Sequence, residues 1–245
     1  MSDVDEIIVA IEHDPGRFDE YCDELRTILE SGETDARRSV AQLLGDVAEV
    51  DPGIGTRHPE LLELAFEDAD VVVQGLAVDT VAIITKAEPA ASTDFVSQIA
   101  TTLAEEELPS TSQMSGIRAL AVIDEKAPIS ISKADEPLAT LLHDGVTDVR
   151  ETVAEYIADS VTAAPHEFPA MLQAYTKALD DQSPTVRLRA AEAIAVATYE
   201  DAEAISDVDR VLNRLKELRS DNVLPAERVE KVIDMTKVGA GYAGE

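Results

Sequence analysis

The 245-residue sequence has one cysteine, no tryptophan, few aromatics (4%), and only seven lysines against thirteen arginines. It also has no apolar run near the roughly 18 residues that cross a bilayer as a helix. Each shortage excludes something. The single cysteine, Cys22, closes no intramolecular disulfide and has no companion for a Cys-x-x-Cys site, so it reads as a small core residue. The missing apolar run excludes a membrane-spanning helix. Met1 to Asp14 is acidic and lacks the basic start and apolar middle of a signal peptide. No membrane insertion and a cytoplasmic location are therefore expected. Alternating apolar and polar stretches, the mark of half-buried strands, are missing as well.

Basic residues are the other shortage: 20 Lys and Arg face 50 Asp and Glu, a formal net charge of −30. Such a chain is repelled by phosphate backbones and anionic lipid unless a local basic patch overrides the field. The densest basic cluster, Arg210, Arg214, Lys216 and Arg219, is interleaved with Asp207, Asp209 and Glu217. It reads as a solvated helix with its cations near the C-terminal end. Nucleic-acid binding would need a basic stripe crossing several helices, which the sequence lacks. The acid excess is spread along the chain and forms no tail. Many carboxylates with few lysines suit a protein working in concentrated salt; the alternative is an ordinary acidic protein that binds a basic partner.

What is present is a core-forming composition, 45% hydrophobic, arranged with a long period. Five segments read alike: DARRSVAQLLGDVAEV (35–50), DVVVQGLAVDTVAIIT (70–85), SQMSGIRALAVIDEKA (112–127), DVRETVAEYIADSVTA (148–163) and TVRLRAAEAIAVATYE (185–200). Aligning Ala41, Ala77, Arg118, Ala154 and Ala191 gives steps of 36, 41, 36 and 37 residues. Within each, apolar or small residues recur at three and four, which is helical spacing. Another amphipathic stretch precedes each one, at 18–30, 58–68, 94–106, 134–144 and 166–181. Helix-stopping or helix-starting residues separate them, such as Asp51-Pro52-Gly53 and Ser183-Pro184. Asp3–His13 predicts an extra first helix, and 206–220 with 225–238 predicts a sixth, more charged pair that closes the array. Residues 239–245 are expected to form a flexible tail.

The segments DVRETVAEYIA and TVRLRAAEAIA resemble the second helix of HEAT-like repeats. That resemblance implies an all-α, right-handed α-solenoid of five to six helix pairs. It would form one domain over 1–238, with repeats at about 16–50, 57–87, 93–127, 133–163, 166–200 and 205–238. It also implies a ladder of polar contacts between neighbouring repeats, carried here by Arg37, Arg150 and Arg187. Repeats two and three have Val73 and Met114 at that position.

Signals for catalysis are thin. None of His13, His58, His143 and His166 lies four residues from another, and only His166-Glu167 matches the His-Glu pairs of HEAT-like hydroxylases. No catalytic, cofactor or metal residues are expected. The reading is a non-catalytic scaffold or adaptor that binds a protein partner on its concave face. An enzyme or enzyme accessory of the HEAT-like lyase or hydroxylase type is the alternative, and a nucleic-acid-binding array a third, disfavoured by charge. On the wheel of repeat one, Arg38, Gln42, Asp46 and Glu49 face outward. The same wheel puts Val78, Val81 and Ala82 outward in repeat two. Val122 faces outward in repeat three, whose register is ambiguous by one residue. These four either floor a groove for a partner helix or peptide or are buried by tight packing of the array.

The concentrated-salt reading has a direct check. At molar ionic strength charges are screened within about 3 Å, so self-repulsion of the −30 charge fades. The melting temperature, followed by circular dichroism, should rise between about 0.1 M and about 3 M KCl. A flat or falling response excludes that reading.

Overall fold

The computed structural model describes residues 3–105, 107–127, 129–220 and 225–242. Among them the chain is all-helical, with no strand. It falls into two compact units, Met1–Ile129 and Ser130–Glu245.

In the first unit the order is α1 (Asp3–His13), α2 (Cys22–Ser31), α3 (Thr34–Val50), α4 (Ile54–Arg57), α5 (Pro59–Phe66), α6 (Val71–Ala87), α7 (Val96–Leu103) and α8 (Ser110–Lys126). Two 3-10 turns, Pro15–Tyr21 and Pro89–Phe95, lead into α2 and α7. Prolines open both turns and α5, where the missing N–H costs nothing. Asp70 caps α6, its carboxylate accepting from the Val72 and Val73 amides. The four-residue α4 has no counterpart in the sequence pattern.

The long helix α6 is the centre of this unit, packed on α3 and on α8. Val73, Ala77, Val78, Val81 and Ile84 are all essentially inaccessible. Two glycines let α6 and α8 approach. A Cβ on Gly116 would lie 3.0 Å from Val78 Cγ1, and one on Gly75 would lie 3.1 Å from Ser112 Oγ. The arginine's place in this helix falls not on the expected Val73 but on Gln74, whose side-chain amide donates to the Asp68 carbonyl at 2.7 Å. On α8, Ile117, Leu120 and Ile123 take the core while Arg118 is exposed, so repeat three runs one residue out of the initial alignment.

The second unit runs α9 (Asp135–Asp144), α10 (Thr147–Tyr156), α11 (Ala158–Ala163), α12 (Pro169–Ala178), α13 (Pro184–Glu200), α14 (Val208–Ser220) and α15 (Ala226–Gly239). The stretch expected as one helix over 148–163 is two, separated at Ile157. Helix α9 packs on α12, α10 and α11 on α13, and α13 on α15. Of the expected tail, Gly239 ends α15 and the Tyr242 hydroxyl donates to Asp209 at 3.2 Å; residues 243–245 lie outside the described residues.

One bond pattern occurs in both units. Arg37 Nε and Nη2 donate to the two carboxylate oxygens of Asp68 at 2.6 and 3.1 Å, and Nη1 donates to the Gly32 carbonyl at 2.7 Å. Arg150 does the same with Asp181 at 2.7 and 3.0 Å and with the Gly145 carbonyl at 2.8 Å. Asp68 and Asp181 each also accept the amide two residues on, at 2.7 Å. Both pairs are sheltered, with side chains 3 to 18% exposed. A guanidinium taken partly out of water needs such a bidentate partner, and the next helix pair supplies it. Arg187 departs from the expectation. It donates backward to the Asp181 and Gln182 carbonyls, because the residue 31 further on is Leu218, which cannot accept.

For Asp181, burial raises the carboxyl's pKa, but the Arg150 bond, the Ser183 amide and the nearby guanidinium charges outweigh it and hold it below the ordinary range. A depressed folded pKa gives stability that is present above the unfolded value near 3.9 and lost as pH falls through the folded one. Because Arg150→Ala leaves the sheltered Asp181 carboxylate without its partner, it should cost about 3–5 kcal/mol in urea unfolding at neutral pH. The gap to wild type should shrink as the pH is taken below the carboxylate range.

Candidate functional site

The four residues expected to floor a groove do not make one. Val78 and Val81 are 0% exposed, and Ala82 and Val122 are half-buried. The wheel of α3 transfers to α6 one residue later than the match of Ala41 with Ala77: the buried Val40, Ala41, Leu44 and Val47 correspond to the buried Ala77, Val78, Val81 and Ile84, and Val78 seats on Gly116 of α8. The row of α6 that does reach solvent is Val72, Leu76, Asp79 and Ile83, of which Val72 is 38% exposed.

That row borders a groove of about 430 Å³ between α1, α3 and α6. Ile8, Leu43, Val72 and Leu76 line it, with Glu12 and Asp46 adding negative charge. The nearby Arg38 does not neutralise the rim, since its guanidinium is held bidentately by Asp70 at 3.1 and 2.6 Å. Gln42 is tied to Asp46 at 3.1 Å. The arrangement offers apolar contact framed by acid.

Elsewhere, His143 and His166 are surface groups next to Asp144 and Glu167. In the basic cluster, Arg214 is held by Asp180 and Glu217, and Arg219 by Glu230. No helix among the described residues is long and apolar enough to cross a membrane.

A second arrangement escaped the sequence reading. The thiol of Cys22, at the start of α2, lies 3.5 Å from His58 Nε2, and the same nitrogen lies 2.9 Å from Asp19 Oδ1. His58 forms the N-cap of α5, and its ring sits 5.7 Å from that of Phe18. Its Nδ1 is 3.7 Å from Glu60, which Arg26 holds at 2.8 Å. The cysteine is buried, as expected of a core residue, but it is not alone. The signal was a separation of 36 residues, one repeat period, which stacks like positions of successive first helices. A nucleophilic role does not suit this geometry, because carboxylate and thiol meet the same ring nitrogen and leave no relay through the ring. Burial, together with the charges of Asp19, Glu60 and Asp23, pushes the Cys22 thiol up to about 11, so it is protonated near neutral pH.

No family model matches the chain, and no curated protein matches it. Among solved structures it is similar to a crystal structure described as that of an engineered protein. The two are 21% identical with a TM-score of 0.61, over 91% of this chain and 97% of that one. At that identity the likeness shows the fold alone.

If Val78 is core, Val78→Ser should lower unfolding stability by about 2–3 kcal/mol, from lost apolar burial and a buried hydroxyl. Chemical denaturation checks it; an unchanged midpoint would return Val78 to the surface.

Proposed function

We propose that the chain is a non-catalytic protein-interaction scaffold, built as a right-handed HEAT-like solenoid of five to six helix pairs. The repeat reading is supported by the correspondence of residues 113 apart. Gly32, Asp35, Arg37, Ala41 and Asp68 match Gly145, Asp148, Arg150, Ala154 and Asp181, and both arginines make the same three bonds. The composition supports a host with a salt-rich cytoplasm, a halophilic archaeon being the reading we favour.

The single observation behind the binding role is the groove at α1, α3 and α6. On a surface dominated by carboxylates it presents apolar side chains, including an exposed Val72, within an acidic frame. The partner it fits is a segment with one or two apolar anchors flanked by Lys or Arg. That surface replaces the patch around Val78 as the proposed docking face. Nucleic acid is a poor occupant, given the −30 charge and the carboxylate partners of Arg214 and Arg219.

Cross-linking the full chain in extract of its native host, at native salt, tests the proposal. The double variant Val72→Glu/Leu76→Glu should reduce capture of the main partner by more than about tenfold while the melting curve is retained. Val50→Glu, at another exposed valine, should capture normally. Equal capture by all three proteins refutes the groove as the docking face.

A further inference from the structure

We propose that Asp19, Cys22 and His58 form a binding site for a zinc-like divalent cation, which staples the first helix pair to the second. The three donor atoms all lie within 4.8 Å of one another. They come from two successive first-helix segments: Asp19 from the 3-10 turn, Cys22 from the first residue of α2, and His58 from the entry to α5. One thiolate, one imidazole and one carboxylate match the donor preference of zinc over calcium or magnesium.

The distances decide how well the set fits. Zinc–sulfur and zinc–nitrogen bonds of about 2.3 and 2.0–2.1 Å at a tetrahedral angle put the two donors about 3.5 Å apart. The Cys22–His58 separation is 3.5 Å. The His58–Asp19 separation, 2.9 Å, is a hydrogen bond that must open to roughly 3.4 Å for an ion to enter. Asp19 can make that move, since its side chain is 60% exposed whereas that of His58 is only 17%. Arg57 Nε lies 3.7 Å from Asp19 but gives its terminal nitrogen to Asp51 at 2.7 Å, so Asp19 is not locked. His58 is oriented by Phe18 and faces Glu60, the outer carboxylate usual behind a ligating imidazole. On binding, the ion takes the thiolate and the Cys22 proton leaves to solvent. The fourth position is left to water.

The second unit shows what this corner does without such donors. Residue 135, 113 beyond Cys22, is a buried aspartate whose two carboxylate oxygens accept the Ala170 and Met171 amides at 2.9 Å, capping α12. There a first helix is tied directly to the next first helix by a side chain. In the first unit the corresponding cysteine reaches no amide of α5 and faces His58 instead; an ion bridging the two makes the equivalent tie.

The test uses the full reduced chain, stripped of metal, in concentrated KCl with excess Mg²⁺ to occupy ordinary carboxylates. Cobalt(II) chloride is titrated and followed by absorbance, then displaced with zinc chloride. The expected result is a thiolate-to-cobalt charge-transfer band saturating at one equivalent, with tetrahedral visible bands, and their loss on adding zinc. Because Cys22 is the only cysteine, that band reports its ligation even without a variant. Cys22→Ser should abolish the band, and His58→Gln and Asp19→Asn should weaken binding by more than about tenfold. Zinc should raise the melting temperature of the wild type and leave Cys22→Ser unmoved. Absence of the charge-transfer band in the folded wild type overturns the proposal. So does a band whose affinity is unchanged in folded Asp19→Asn and His58→Gln.

Discussion

A guanidinium placed at the start of a second helix, partly out of water, must be met by a carboxylate from the next helix pair. Much of the register of this fold follows from that requirement. The fork of Arg37 or Arg150 takes both oxygens of Asp68 or Asp181, while its remaining nitrogen holds the carbonyl of the preceding turn. Three directions of bonding fix a helix start, the loop before it and the end of the neighbouring first helix at once. Lysine, a point charge on a flexible stem, cannot make that set of contacts, which accords with the preference for arginine in a chain poor in cations.

Where the arginine is missing, shape takes over. In α6 that place is taken by Gln74, whose side-chain amide donates to the Asp68 carbonyl at 2.7 Å, while Gly75 and Gly116 let α6 and α8 close to van der Waals distance. The first unit thus uses both devices, a polar fork between α3 and the α5–α6 turn and a close contact between α6 and α8 at two glycines, where the Ser112 hydroxyl also donates to Asp79 at 2.9 Å.

Much of this was legible in the residues. The helical spacing placed α3, α6, α8 and α13 to within two residues, because each carries a continuous three-four apolar pattern between clear stop signals. The resemblance to HEAT-like repeats implied a polar contact at Arg37, though not that Asp68 would supply it. The outward face of α6 was misplaced because a helix apolar on nearly every side leaves its register open by one residue; with Val78 in place of Ala77 opposite Ala41, the wheel of repeat one puts Asp79, Ala82, Ile83 and Lys86 outward and Val78 and Val81 inside. The meeting of Cys22 and His58 was hidden for a different reason. Motif reading looks for donors a few residues apart, and these two come together only because first helices stack one period later. The break at Ile157 has no proline or glycine beside it to announce it.

The arginine fork also acts as a ruler. From Arg37 to Asp68 and from Arg150 to Asp181 the count is 31 residues, yet the contents differ. The first span holds the short α4 and an eight-residue α5, the second a 3-10 turn and a ten-residue α12. Turns have been traded for helix within a fixed allowance of chain. The bridge thus constrains how much backbone lies between its two ends and leaves open what that backbone does. Sequence drift is cheap in that interval, whereas a change in its length separates the charges.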